Sequence, residues 1–302
     1  MKTLNNKERN IPDFTTEDLI KVGAHIGHRV SARLPKMRPY IYGESNGIHL
    51  IDARRTAYSL SKSLNVLYDA AANGQRILFV STNNKWSDLI AGIAKKSGQY
   101  YVTKWRGGMM TNWRTIVSAI KSLKAINKQL ESIEKDPSSS DLKKKEVVKL
   151  RLKKQKLDKY FVGILNMSGM PDLIVVLSTK DEDLAIKEAK CVGIPVMGIC
   201  DTNSNPDLAD YLIPANDDSL KAFEFLGGLF ITSILNGSKE WLGSSKSAVK
   251  KPAAKKADEK PASKKPAAKK PATKKAAEKP ATKKAAEKPA AKKADKKADE
   301  AK

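Results

Sequence analysis

The sequence predicts an α/β domain: a parallel sheet flanked by helices, with a helical hairpin inserted into it. Three observations predict this. First, residues 171–200 read as a βαβ unit. Leu173 to Leu177 and Ile194 to Cys200 are short apolar runs rich in Val and Ile, and one amphipathic helix joins them. Such a connection is right-handed. The first run is apolar without alternation, as in a parallel strand covered on both faces. Second, Thr56 to Thr103 alternates helix, strand, helix, strand. Third, the alternation breaks between residues 104 and 160, where two long helical stretches take its place.

Residues 1–14 are polar and read as a flexible N-terminus. Thr15 or Thr16 can cap a short helix from Glu17 to Val22, with Glu17 and Asp18 in its first turn. Ala24 to Tyr40, punctuated by Gly and Pro, reads as a basic loop with little room for regular structure. Tyr40 to Tyr42 and Ile48 to Ile51 read as a hairpin. From Thr56 to Asn73 a helix places Leu60, Leu64, Leu67, Tyr68 and Ala71 on one face. A strand at Arg76–Ser81, a helix at Asp88–Ser97 and a strand at Tyr100–Thr103 follow. Asn112 to Lys135 repeats Ile116, Ile120, Leu123, Ile126 and Leu130 at spacings of three and four. After a turn at Asp136–Ser140, Leu142 to Lys159 makes the second arm, rich in lysine. In the βαβ helix, Asp181, Glu182 and Asp183 suit the first turn, where the helix dipole favours anions. Leu184, Ala185, Ala189 and Val192 form its expected buried side, and Gly193 its stop. Tyr211 to Ile213 is the last strand. Asn216 to Asn236 is the last helix, with Asn216 a candidate cap. The expected domain runs from 15 to 243, with the hairpin and its base at 104–160.

Charge bounds the partner. The 302 residues carry 57 Lys and Arg against 33 Asp and Glu, a net +24. Residues 250–302 contribute twenty lysines and seven acids, so 1–249 still hold 37 cations against 26 acids. Both parts are basic, which points to a polyanion such as nucleic acid. From Ser244 on the composition falls to Lys, Ala, Pro, Glu and Thr, and Pro-Ala-Thr-Lys-Lys-Ala-Ala-Glu-Lys at 271–279 repeats at 280–288. With no large apolar residue after Val249, this tail is expected to be a disordered polycation. Cys191 and Cys200 sit in apolar contexts, which suggests a reducing compartment and no disulfide framework. No apolar run reaches 18 residues and no signal-peptide core is visible, so a soluble protein is expected.

Several short motifs come in a fixed order: His25-Ile-Gly-His28, Pro35-Lys-Met-Arg-Pro-Tyr40, Asn46-Gly-Ile-His49, Trp105-Arg-Gly-Gly108, Thr111-Asn-Trp113, Gly169-Met-Pro-Asp172, Ile194-Pro195, Asp201-Thr-Asn203, Pro206-Asp207 and Ile213-Pro-Ala-Asn-Asp-Asp218. In that order, over residues 15–237, the chain resembles the bacterial ribosomal protein S2 (uS2) family. The resemblance implies a three-layer α/β/α, Rossmann-like sandwich of flavodoxin type with an inserted antiparallel helical hairpin. It also implies a structural role in the small (30S) ribosomal subunit, on 16S rRNA between head and body, in the cytoplasm. The implied partners are 16S rRNA, neighbouring small-subunit proteins and, through recruitment, ribosomal protein S1 and mRNA; no membrane, DNA or cofactor is implied. The tail is no part of the family pattern.

The residues themselves suit RNA. Arg29, Arg33, Lys36 and Arg38 put four cations into ten residues without an acid, a candidate phosphate clamp or else a solvated loop. Lys104, Trp105, Arg106, Trp113 and Arg114 mix stacking surfaces with charge, as proteins do that grip irregular RNA. The tryptophans could equally wedge the hairpin base into the sheet. Lys121, Lys144 and Lys145 are the hairpin cations assigned to RNA, against the alternative of a solvated helical face. His25, His28 and His49 lack a nearby fourth ligand, so satisfied histidines are expected and no metal. Asp201, Asp207, Asp217 and Asp218 belong on loops at strand carboxyl ends, the usual ligand crevice of an open sheet. They support a rival reading, a Mg-dependent sugar-phosphate or phosphoryl-transfer enzyme. Against it stand the lack of any GxGxxG or Walker loop and the repulsion of phosphate by carboxylates. A third reading, a histone-like nucleic-acid-compacting protein, rests on the tail alone.

Overall fold

The computed structural model describes residues 9–135 and 144–249, with side chains at 9–135 and 145–242. Residues 250–302 of the expected tail, the hairpin turn and the first eight residues lie outside the described residues, whereas residues 244–249, expected to begin the disordered tail, continue the last helix.

Helix α1 (Thr16–Lys21) opens on a capping box: Asp18 N–H donates to the Thr15 hydroxyl, and Thr15 N–H to the Asp18 carboxylate. Three strands follow: β1 (Ile26–Arg29), β2 (Ile41–Ser45) and β3 (Ile48–Ile51), ordered β1-β3-β2 and antiparallel. Asn46 and Gly47, both at positive φ, turn β2 into β3. The expected irregular loop at 24–40 is therefore corrected. Its first part pairs with the free edge of β3, and Pro35–Tyr40 winds into a 3₁₀ segment over the buried Met37.

Helix α2 (Ala53–Ala72) leads into the main sheet: β4 (Ile77–Val80), α3 (Ser87–Ser97) and β5 (Tyr100–Val102). After the hairpin α4 (Trp113–Lys135) and α5 (Lys144–Phe161) come β6 (Leu173–Val176), α6 (Asp183–Val192), β7 (Val196–Cys200), β8 (Tyr211–Pro214) and α7 (Leu220–Val249). Among the described residues the sheet is five-stranded and parallel, ordered β5-β4-β6-β7-β8. That is the flavodoxin order, with its switch point between β4 and β6.

Each strand sends alternate residues to two cores, because successive side chains point to opposite faces. Ile77, Phe79, Leu173, Val175, Met197 and Ile199 meet α2, α3 and α7; Leu78, Val80, Ile174, Val176 and Val196 meet α6 and the hairpin base. Three layers result, as the family resemblance implied.

Four details differ from expectation. Leu184 and Val192 of α6 are exposed; its buried face is Ala185, Ile186, Glu188 and Ala189, turned by about a tenth of a turn from the expected stripe. Glu182 does not stand in solvent at the helix start: it is buried at the switch point and accepts the Thr82 N–H. The cap of α7 is Ser219, whose hydroxyl accepts from Ala222 N–H, whereas Asn216 accepts from Asp218 N–H and donates to Gly23 O. And α7 runs on past Asn236, because Gly237 lets it press against the backbone of α2 at Tyr68.

Candidate nucleic-acid interface

The basic segment is built by anchoring its backbone. Leu34 N–H donates to Thr202 O at 2.9 Å and Val30 N–H to Gly47 O at 3.0 Å, while Met37 is fully buried. Thr202, from the loop after β7, is the staple. Its hydroxyl accepts the His28 N–H at 3.0 Å, and Gly27 faces it so closely that a Cβ there would lie 2.6 Å from its methyl. The His25–His28 and Asp201–Asn203 motifs are thus two halves of one joint. With the backbone held, the side chains of Arg29, Arg33, Lys36 and Arg38 face outward and exposed. Lys36 pairs with Asp207. Among the described residues the guanidinium groups of Arg29, Arg33 and Arg38 have no protein partner.

Beside this segment lies a carboxylate cluster. The His28 ring sits with Nδ1 3.0 Å from Asp201 and Nε2 3.3 Å from Asp218. Ligand atoms of His28, Asp201 and Asp217 lie within 4.8 Å of one another. Burial, reinforced by the Asp201 charge, pushes the Asp217 carboxyl up to about 6, although the Ser178 hydroxyl hydrogen bond opposes this. Nitrogen and carboxylate oxygens at this spacing are donors a divalent cation could take. His49 is buried, and contrary to the expectation of satisfied histidines neither of its ring nitrogens has a hydrogen-bond partner among the described residues.

The second basic group follows β5. Here the loop from Lys104 to Asn112 closes over the buried Glu188 of α6. One oxygen of Glu188 accepts Trp105 Nε1–H at 3.2 Å and Gly108 N–H at 2.8 Å; the other accepts Met110 N–H at 2.9 Å. Burial alone would raise this carboxyl, but the Met110, Gly108, Trp105 and Thr111 donors outweigh it and hold it below the ordinary Glu range. Trp105 and Trp113 are half-buried against the second core, so both wedge the hairpin base into the sheet. Lys104, Arg106 and Arg114 remain exposed around them. Lys121 is exposed on α4, Lys144 opens α5 and Lys145 is exposed beside it.

The two basic groups are not one patch. The first is tied to the end of β7, the second leaves the end of β5, and three strand spacings, roughly 14 Å, separate those strands. At the switch point between them the chain's own Glu182 occupies the place where a doubly wound enzyme receives an anionic ligand. Sequence reasoning missed Glu182, Glu188 and Thr202 as organisers, since their partners lie from 77 to 174 residues away.

Residues 19–237 match the family described as Ribosomal protein S2. The chain belongs to the ribosomal protein S2 family. Small ribosomal subunit protein uS2 of Rickettsia bellii is 43% identical over 236 residues, covering 78% of this chain and 80% of that one. The uS2 protein of Agrobacterium fabrum is 41% identical over 251 residues, 80% and 96% of the two chains. That of Wolbachia pipientis is 47% identical over 244 residues, 80% and 84%. As an S2-family member this is a ribosomal protein of the small subunit and not an enzyme. Among the described residues no helix is long and apolar enough to cross a membrane.

Proposed function

We propose that the chain is a structural constituent of the cytoplasmic small ribosomal subunit that holds 16S rRNA between head and body by its phosphates. The observation that carries this is the anchored basic segment. Arg29, Arg33 and Arg38 are exposed and unpaired among the described residues, on a backbone fixed by Thr202, Gly47 and Met37. Guanidinium groups kept free of protein carboxylates on a rigid backbone favour bidentate phosphate contacts. Lys104, Arg106 and Arg114 around the Glu188 latch, with Lys121, Lys144 and Lys145 on the hairpin, supply further phosphate contacts. In this reading Trp105 and Trp113 shape the loop and leave stacking to others.

Replacing Arg29, Arg33 and Arg38 together by Glu is the test. Incorporation into small subunits should fall, and the log–log salt dependence of binding to a 16S rRNA fragment should flatten by up to roughly 0.7–0.9 per lost phosphate contact. Unchanged incorporation and an unchanged slope would refute the clamp.

A protein neighbour fits a different surface. Ile20 and Ile26 are exposed, Tyr42 is 72% exposed, and an open groove of about 460 Å³ runs between Thr16, Ile20, His25, Tyr42 and Arg54. An apolar groove with an exposed aromatic rim is where a subunit protein such as S1 would dock, bringing mRNA with it. Tyr42→Ala should weaken S1 retention on purified subunits without changing rRNA binding.

A further inference from the structure

A second cleft, of about 350 Å³, opens where α2 crosses the edge strand β8. Its working residues are Tyr40, Arg55, Tyr58, Lys62, Asp210 and Tyr211. Three tyrosines in one cleft stand out in a chain with eight in all. Tyr58 is 65% exposed, and among the described residues no phenol hydroxyl of the three makes a hydrogen bond. The Lys62 ammonium lies over the Tyr58 ring, 4.2 Å from its centroid. Arg55 reaches Asp52 only at 4.0 Å and is otherwise free among the described residues. Asp210 is fixed by a two-way bond with Val196: its carboxylate accepts Val196 N–H at 2.8 Å and its own N–H donates to Val196 O at 2.8 Å. Its other oxygen has no protein partner among the described residues. Tyr40 ends the 3₁₀ segment that carries Lys36 and Arg38, so the cleft continues the basic segment.

We propose that this cleft receives a single unpaired nucleotide of RNA, its base stacked on the tyrosine rings and its flanking phosphates on Arg55 and Lys62. The inference rests on the reading that the chain binds RNA, and adds to it a site for a flipped-out base. Aromatic faces beside cations are how single strands are held, because every base has a π-face and every linkage a charge. A cleft of this size lies at the lower end of small-ligand sites, which suits one base and not a helix. The free oxygen of Asp210 repels phosphate but accepts from an exocyclic amino group, so adenine, cytosine and guanine are favoured over uracil.

The test compares the full chain with Tyr58→Ala, Tyr211→Ala and Tyr58→Phe at one fixed salt concentration. Labelled single-stranded oligo-A, oligo-C and oligo-U and a blunt RNA duplex are the probes. Each Ala variant should weaken oligo-A and oligo-C by roughly 5- to 150-fold and leave the duplex unchanged. Tyr58→Phe should bind like the parent, and the parent should prefer oligo-A and oligo-C to oligo-U. Ultraviolet irradiation of the unaltered chain with oligo-A should crosslink the peptide holding Tyr58 or Tyr211, a readout no folding defect can confuse. Ala variants that bind single strands as the parent does, or that lose duplex binding in equal measure, would overturn the site. So would displacement of oligo-A by an equal concentration of AMP, which would mark a free-nucleotide site. The variant with Arg29, Arg33 and Arg38 changed to Glu separates the two ideas. If it loses nothing while Tyr58→Ala loses oligo-A, the clamp is wrong and the cleft stands.

Discussion

Asp217 is buried beside Asp201, and its carboxyl is pushed up to about 6 by that burial and then by its neighbour's charge. The native chain therefore holds this proton more tightly than the unfolded chain does. The group favours folding most below the unfolded value of about 3.9 and progressively less as pH rises through about 6. Asp217→Asn should accordingly stabilise the fold at pH 7.5 in chelator by on the order of 1–3 kcal/mol, and so raise the melting temperature, since the amide oxygen can still accept from Ser178. Adding a divalent cation should reverse the order, stabilising the parent and not the variant. Scanning fluorimetry of both proteins with and without chelator decides it. Glu188 works the opposite way. Its carboxyl lies below the ordinary range, so its contribution is present above about pH 4.3 and is lost as pH falls through the folded value. Glu188→Ala would leave the Trp105, Gly108 and Met110 donors without their acceptor and should cost about 2–4 kcal/mol in urea denaturation. Glu188→Gln should cost less, because one amide oxygen still accepts. Neither carboxylate announced its role in the sequence. An acid on an exposed-looking helix carries no mark of three N–H groups some eighty residues earlier. The Thr15 cap was legible because its partner Asp18 stands three residues away.

Legibility at the scale of elements followed the same divide between local and distant causes. Helix α4 was readable because five apolar residues repeat at helical spacing, and Ile116, Ile120, Leu123, Ile126 and Leu130 are the ones buried. Strand β1 was not, because Ile26-Gly-His-Arg29 has no strand pattern and is held by the edge of β3 and by Thr202. The face of α6 was misread for a related reason. The helix buries Glu188, held there by N–H donors of the loop after β5, and that leaves Leu184 and Val192 exposed. The hairpin itself is asymmetric. Helix α4 buries a full stripe, whereas Val147, Leu150, Leu157 and Lys154 of α5 are only half-buried, and Val148 and Leu152 are exposed. A thin seam between a mixed helix and a basic one should open before the sheet does. Ile126→Asp, at the distal part of the seam, should abolish hydrogen-exchange protection along the outer halves of α4 and α5 and leave β4, β6 and β7 protected. Loss of protection in the sheet strands as well would show that hairpin and sheet form one cooperative unit.

For the whole molecule, the parallel sheet was predictable from its uninterrupted apolar runs, and its strand order came with the family resemblance. The placement of the cations is legible only in the fold. Sequence composition treats 57 Lys and Arg as one quantity, whereas the fold sets some of those of the body at the β7 end, the β5 end and on the hairpin, and others, such as Arg55 and Lys62, beside β8. This sorting bears on how the tail and the body share RNA binding. Residues 1–249 keep 37 cations against 26 acids, so removing 250–302 leaves a basic body with every anchored group in place. The truncated chain should melt cooperatively at an unchanged temperature, because the removed residues hold no large apolar side chain to contribute to a core. Its affinity for RNA should fall most at low salt and converge on that of the full chain as salt rises, since contacts made by charge alone are lost first to screening. Binding titrations of both chains across a salt series measure the two slopes. Equal slopes would mean that the twenty tail lysines never engage RNA, whereas a truncated chain with no binding at any salt would place the whole interface in the tail and remove the clamp, the latch and the cleft from the account.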